Sequence, residues 1–284
     1  MKTSCSFSTL LKKRSPLIMG ILNITPDSFS DGGKFSTLEL SSAHAFRMLD
    51  EGADLIDIGG ESTRPGAVEI SAKEEIRRIL PVIKDLRKKV PEKILSVDTS
   101  KAEVAEIALK EGVAVINDVS GGQEAALLEV VSKYDAGLII MHRKGSPESM
   151  QLNPTYQDVV DEIKAYLKNM CDLASSAGVS KDKLVVDPGI GFGKLLKHNI
   201  AILNSLTQFN DLGYPVMIGT SRKKTLQEIC GTQAPSQLEG ATCATTALGV
   251  QSGAKIFRVH DVKANRQAAD VAWAVLNDKF WKSA

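Results

Sequence analysis

The chain has 284 residues and a formal net charge of +1, with 43% hydrophobic and 24% charged residues. That composition suits a globule able to bury a full core. The near-neutral balance excludes a general attraction for nucleic acid or a membrane surface, so any anion must be held by a few placed cations. The four cysteines (Cys5, Cys171, Cys230 and Cys243) form no CxxC pair, and no His stands at metal-ligand spacing. This spacing implies neither a zinc site nor a disulfide framework and predicts reduced thiols in a cytoplasmic enzyme.

Residues 1–15 carry Lys12, Lys13 and Arg14 but lack the apolar core and cleavage site of a secretion signal. They read as a tail, or as a short strand covering the floor of a single domain over 16–284. No apolar stretch is long enough to span a membrane. Short apolar runs at 17–24, 55–58, 94–97, 113–118, 138–142, 184–187, 216–218 and 256–260 predict strands buried on both faces. Six of them follow a glycine (Gly52, Gly112, Gly137, Gly178, Gly213 or Gly253), which reads as a left-handed helix stop. Ser36-x-x-Glu39, Ser71-x-x-Glu74 and Ser100-x-x-Glu103 are capping boxes at helix starts, and Pro81 predicts a split or kink. Long amphipathic helices are predicted over 158–178 and 262–279.

Strands alternating with helices fit a closed barrel or an open, doubly wound sheet. No GxGxxG follows the first strand, and no Walker A sequence occurs. The strands end in Asn23, Asp57, Asp98, Asn117, His142, Asp187, Ser221 to Lys223, and Arg258 with His260. Polar groups at so many strand ends favour an α/β fold of one domain, a (β/α)8 TIM barrel with its active site at the C-terminal ends of the strands. An Asp after a strand is often only a cap for the next helix, and Asp57 and Asp118 are open to that reading. The loop 25–33 is rich in hydroxyls and turn residues. The loop 59–66 adds backbone amides, Thr63 and Arg64, which can cradle an anion. The lip 187–194 sets Phe192 among glycines, either to stack on a flat ligand or to pack on the rim.

The segments 19–33, 57–66, 96–99, 116–118, 187–194, 221–223 and 258–262 resemble dihydropteroate synthase, and the likeness runs from Met19 to the last helix. The resemblance implies a transferase of folate biosynthesis that joins 6-hydroxymethyl-7,8-dihydropterin diphosphate to para-aminobenzoate and releases diphosphate. It implies that Asp98, Asn117, Asp187 and Lys223 hold the pterin, that Arg258 and His260 hold the diphosphate, and that Asn23 ligates Mg²⁺. Thr63 matches a substrate contact. Phe192, Ser221 and Lys223 would line the arylamine pocket, and Asp98, Lys223 and Arg64 would carry catalysis. With no Ser–His or Cys–His pair evident, a dissociative displacement without a covalent intermediate is expected. The family also implies a homodimer, and it is a target of sulfonamides, which mimic para-aminobenzoate. Two segments depart from its pattern: Arg143-Lys144 after His142, and Lys224-Thr225 after Lys223. A corrinoid-dependent methyltransferase relative would keep the pterin-facing Asp and Asn residues. It has no use for the anion-binding loop 63–66 or for Arg258-Val259-His260. A non-catalytic paralogue is disfavoured by the intact set of polar strand ends.

Overall fold

A computed structural model describes residues 6–24, 37–62, 67–146, 149–232 and 234–277. Among these, eight parallel strands form one sheet: β1 (Leu17–Asn23), β2 (Leu55–Gly59), β3 (Ile94–Asp98), β4 (Val115–Asp118), β5 (Gly137–Met141), β6 (Leu184–Asp187), β7 (Met217–Ile218) and β8 (Ile256–Val259). The order is β6-β5-β4-β3-β2-β1-β8-β7. Its two ends meet through a parallel bridge between Val186 and Val216 and a 3.0 Å bond from the Val186 N–H to the Pro215 carbonyl, which closes the barrel. Helices alternate with the strands around the outside: α2 (Thr37–Asp50), α3 (Ala72–Lys89), α4 (Ala102–Lys110), α5 (Ala125–Lys133), α6 (Val159–Ser176), α7 (Leu196–Asn204), α8 (Lys224–Cys230), α9 (Glu239–Gln251) and α10 (Val262–Leu276).

The strand period of two divides the core. Ile18, Ile56, Leu95, Ile116, Leu138, Leu184, Ile218 and Phe257 face the helices in a large outer cluster. Leu17, Met19, Leu55, Ile94, Val115, Ile139, Val185, Met217 and Ile256 meet along the barrel axis. Side chains of the same parity continue up each strand, so the residues above this apolar layer are Asp57, Ser96, Asp98, Asn117, Asp187 and Arg258. A packed interior therefore supports a polar mouth.

The floor is closed by a helix, where the sequence suggested a tail or a strand. α1 (Phe7–Leu11) is capped by Ser6, and its Phe7 and Leu10 are buried in the axial cluster. Burying two such side chains contributes about 1.5–3 kcal/mol each. This contact explains an exception among the glycines. Gly52, Gly112, Gly178, Gly213 and Gly253 have positive φ as expected, but Gly137 does not, and Asp135 takes the left-handed turn instead at φ 51°. At Gly137 a Cβ would run into the Phe7 ring. Gly137→Ala is accordingly expected to cost about 1–3 kcal/mol by overpacking. Thermal melts should show the double variant Phe7→Ala/Gly137→Ala losing less than the sum of the two single changes.

Two other expectations are corrected. α3 runs unbroken through Pro81, because that residue lies on the solvent face, where water can satisfy the freed carbonyl. Ser71 caps α3 through the Glu74 N–H, but α4 starts one residue later than its proposed box, behind Lys101 and without a side-chain cap. The Lys101 ammonium is drawn instead to Glu61 at 2.7 Å and to the fully buried Glu75 at 2.8 Å. The third box begins at Ser36, outside the described residues.

Candidate active site

The polar side chains above the axial core form one connected group. The Arg258 guanidinium donates from Nε to Asp57 Oδ2 at 2.7 Å and from a terminal nitrogen to Asp98 Oδ2 at 2.7 Å. Asn117 Nδ2 donates to the same Asp57 oxygen at 3.0 Å. Four buried oxygens in this group have no hydrogen-bond partner among the described residues: the Ser96 hydroxyl, which can give or take a bond, and three that can only accept, Asp57 Oδ1, Asp98 Oδ1 and Asn117 Oδ1. Buried polar atoms are rarely left so in a native protein unless water or a ligand answers them. Three acceptors in one cavity call for a ligand edge made of N–H donors.

Asp187 closes the far side. Its Oδ1 accepts the Gly189 N–H at 2.7 Å, which starts the glycine lip. Gly189 has φ +69°, and a Cβ there would strike the His142 carbonyl, so this turn requires glycine. Lys223 reaches under the lip to donate to the Ile190 carbonyl at 2.5 Å, with its ammonium 4.5 Å from the Phe192 ring centre. The Phe192 ring, half-buried, is therefore occupied by a cation–π contact rather than simply laid on the rim. Lys223 is aimed by the residue before it: Arg222 adopts φ 60°, uncommon for a side chain with a Cβ, and its guanidinium is held on Asp261 at 2.7 Å.

Burial sets the charges. It pushes the Asp98 carboxyl up to about 7, against the opposing pull of Arg258 and with a further push from Asp57. Burial also raises Asp187, which Lys223 and the Gly189 N–H partly counter. It lowers Lys223 to about 8, although Asp187 favours the ammonium. Arg258 is held above its ordinary value because Asp57 and Asp98 outweigh the cost of burying it.

Asn117, Asp98 and Arg258 thus meet through hydrogen bonds, Asp187 and Lys223 lie within reach of their charges, and Ser221 and His260 meet each other. Asn23 ends β1 beside Gly59, and its Oδ1 would lie 3.5 Å from a Cβ placed there. Thr63 and Arg64 lie outside the described residues. Two readings change. The sequence shows no Ser–His pair, but the fold makes one across 39 positions: Ser221 Oγ and His260 Nδ1 are 3.0 Å apart. The same hydroxyl oxygen accepts the His260 backbone N–H at 3.2 Å, so the pair also ties the end of β7 to β8. Asp118 does not cap the next helix, which starts behind Glu124; it braces the loop before it, taking the Ser120 N–H at 2.7 Å and the Gly122 N–H at 2.5 Å. Nor is Asp57 a cap: it is the centre of the network, and the signal that marks it is its strand parity with Leu55.

Lys194 was also missed. It is 2% exposed, burial holds its amine well below the usual lysine range, and Nζ meets His142 Nδ1 at 2.9 Å and the Phe192 carbonyl at 2.9 Å, pinning the lip to β5. Burial and then the Lys194 charge drop His142 to about 3, so this imidazole is neutral at any ordinary pH. Of the two departures from the family pattern, Lys144 turns outward, donating to the Thr155 carbonyl at 2.6 Å and lying over the Tyr156 ring. Lys224 starts α8 and pairs with Glu228 at 3.5 Å. Arg143, the other half of the first departure, partly counters the rise that burial imposes on the Asp118 carboxyl.

The family model described as pterin binding enzyme matches residues 19–260. The dihydropteroate synthase of Haemophilus influenzae is 43% identical over 262 residues, covering 92% of this chain and 94% of that protein. Among solved structures, dihydropteroate synthase from Clostridium difficile, crystallised with pteroic acid, superposes with a TM-score of 0.87 at 45% identity, over 92% of this chain and 97% of the other. The Xanthomonas albilineans dihydropteroate synthase with 4-aminobenzoic acid gives 0.88 at 42% identity, over 93% and 94%.

Proposed function

Since the chain belongs to the pterin-binding enzymes, and among them to the dihydropteroate synthases, we propose that the acceptor-lined cavity between Asp57 and Asp187 takes the pterin ring of 6-hydroxymethyl-7,8-dihydropterin diphosphate. The observation that carries this reading is the trio of unanswered buried oxygens on Asp57, Asp98 and Asn117. A pterin offers amino and ring N–H donors to such a set, and ionised acceptors make the stronger bonds. Lys223 faces the carbonyl and ring-nitrogen side and keeps a positive charge beside Asp187. His260, two residues beyond Arg258 on the same strand direction, stands where the diphosphate would emerge, with Arg258 supplying positive charge beneath it.

The reaction breaks the bond between the pterin methylene carbon and the diphosphate oxygen, and the bonding pair leaves with diphosphate. The arylamine nitrogen then attacks the methylene and loses a proton. An arylamine is a weak nucleophile, so departure leads and the pterin ring carries the developing positive charge. Asp98, with one oxygen open to the ring, stabilises that charge electrostatically. Ser221, Lys223 and Phe192 border the space above the pterin and would hold para-aminobenzoate. Thr63 as a substrate contact and Arg64 as a catalytic cation are carried by the likeness to the family.

Magnesium is part of the proposal. Among the described residues no three His, Cys, Asp or Glu side chains stand together as a metal cage. Asn23 offers one neutral oxygen at the mouth. That donor set fits an ion that keeps most of its water and takes its remaining ligands from phosphate oxygens. Bound there, Mg²⁺ would neutralise charge on the leaving diphosphate. Diphosphate release on adding para-aminobenzoate to the enzyme and pterin diphosphate tests the function. We expect chelation to cut the rate at least tenfold, excess Mg²⁺ to restore it, and Asn23→Ala to raise the Mg²⁺ concentration required. No diphosphate release under saturating substrates would remove the assignment.

A homodimer is also proposed. It is supported by the exposed apolar residues Leu248 on α9 and Val271 and Val275 on α10, at 60%, 65% and 76% exposure, which leave an unusual apolar strip on the outer helices. The cytoplasm is the proposed location, in keeping with the unpaired Cys171, Cys230 and Cys243. No helix among the described residues is long and apolar enough to cross a membrane.

A further inference from the structure

Asp57 has no assigned part in the reaction, yet it is fully buried at the centre of the site. One of its oxygens, Oδ2, receives two N–H groups, from Asn117 at 3.0 Å and from Arg258 at 2.7 Å. A carboxylate only accepts. The end of the Asn117 amide turned towards it must therefore be the NH₂, and the amide oxygen must face the other way. That oxygen is one of the three buried acceptors left open. Without Asp57 nothing in this geometry would stop the amide from rotating and presenting donors to the cavity.

The second consequence runs through Arg258. Because one arm of the guanidinium rests on Asp57, only one nitrogen reaches Asp98, and it takes Oδ2 alone. Asp98 Oδ1 stays open. A free Arg–Asp pair would tend to close in two parallel bonds and occupy both oxygens. Asp57 holds the guanidinium out of that arrangement.

We propose that Asp57 is a positioning residue that fixes the hydrogen-bond polarity of the ligand cavity. It turns the Asn117 oxygen inward and keeps one Asp98 oxygen free, so that the site accepts an amino-substituted heterocycle and rejects its oxo-substituted counterpart. The inference rests on the pterin reading of the cavity. It also states why the cavity is selective, since a carbonyl set against the open Asn117 and Asp98 oxygens would face acceptors with no bond to make.

The test compares KM for each substrate, and the preference for pterin diphosphate over its 2-oxo analogue, in the native enzyme, Asp57→Ala, Asp57→Asn and Asn117→Ala. Asp57→Ala is expected to raise the pterin KM at least tenfold, leave the para-aminobenzoate KM within twofold, and narrow the preference at least fivefold. Asp57→Asn keeps an oxygen where Oδ2 stood. It should return the pterin KM to within threefold of native and keep the preference.

Asp57→Asn has a second readout, which stands even if the alanine variant does not fold. The groups facing Asp98 are Arg258 from β8, Asp57 from β2, Glu75 from α3 and Asp118 from β4. Removing the Asp57 charge takes away one that raises Asp98, so the acid limb of kcat/KM should move to lower pH. The proposal is overturned by an unmoved limb in Asp57→Asn, by an unchanged pterin KM in Asp57→Ala, or by both KM values rising together. It is equally overturned if the asparagine variant is as weak as the alanine one. Asn117→Ala separates the two levels: if it too leaves the pterin KM unmoved, the pterin reading of the cavity is what fails.

Discussion

Asp98→Asn should lower kcat/KM for the pterin substrate about a thousandfold. Hydrogen bonds to charged groups contribute about 1.5–3 kcal/mol each, and the carboxylate that would steady the ring cation is lost with them. Arg258 then keeps only Asp57. The replacement also brings an NH₂ close to the pterin N–H groups, or else towards the guanidinium, and one of the two must be mismatched. The native enzyme should show an acid limb near pH 7, where the Asp98 carboxyl is pushed by burial. Above that pH the carboxylate accepts from the pterin; below it the group is protonated and the bond is weakened. Asp98→Asn should abolish the limb.

Stability follows the opposite course. The folded-state value is raised above the unfolded one, so between about 4 and 7 the native protein holds a proton that the unfolded chain has released. Stability therefore falls as pH rises through that window, and the penalty is complete above it. Urea unfolding midpoints for the native protein and Asp98→Asn should converge on acidification. Parallel midpoints from pH 4 to 8 would show that Asp98 is ionised throughout.

Lys223→Ala should lower kcat/KM about a hundredfold or more. It removes the cation beside Asp187, the donor to Ile190 and the partner of the Phe192 ring together. Hydrogen bonds to charged groups contribute about 1.5–3 kcal/mol each, so losing one to the substrate and one to the lip reaches that size. Burial brings Lys223 down to about 8, and the ammonium is lost above that pH. The activity profile should therefore be a narrow bell, bounded by Asp98 on the acid side and Lys223 on the basic side, with the limbs belonging to interacting groups. Lys223→Arg should be slower than native but keep its activity to higher pH, since a guanidinium does not deprotonate there. A basic limb that stays in place in Lys223→Arg would assign it to another group.

Much of this site could be read from the order of residues because the barrel translates strand position into height. Asp98, Asn117, Asp187 and Arg258 each follow an apolar residue of the same parity, two or four positions earlier, and that spacing survives in the text of the chain. Partnership does not. The bonds Asp57–Arg258 and Ser221–His260 join residues 201 and 39 positions apart, and their existence depends on which strands become neighbours when the sheet closes. Asp57 was open to a helix-cap reading because a local pattern exists for caps and none exists for a distant guanidinium. Lys194 was hidden for a related reason, since a lysine in a glycine-rich loop looks solvated until the lip folds back onto His142. The Gly137 exception came from outside the strand pattern altogether, from a phenylalanine 130 positions earlier that fills the floor.

The filled axis makes the barrel a well rather than a tunnel. The axial strand residues, with Phe7 and Leu10 beneath them, stop the bottom, so both reactants and both products must pass one doorway, and whatever lies deepest must be seated first. The heterocycle, gripped at the height of Asp57, is the deepest guest. An arylamine that arrived ahead of it would sit across the only path down and act as a lid on an empty shaft. Traffic order thus follows from the apolar plug that fills the axis beneath the chemistry.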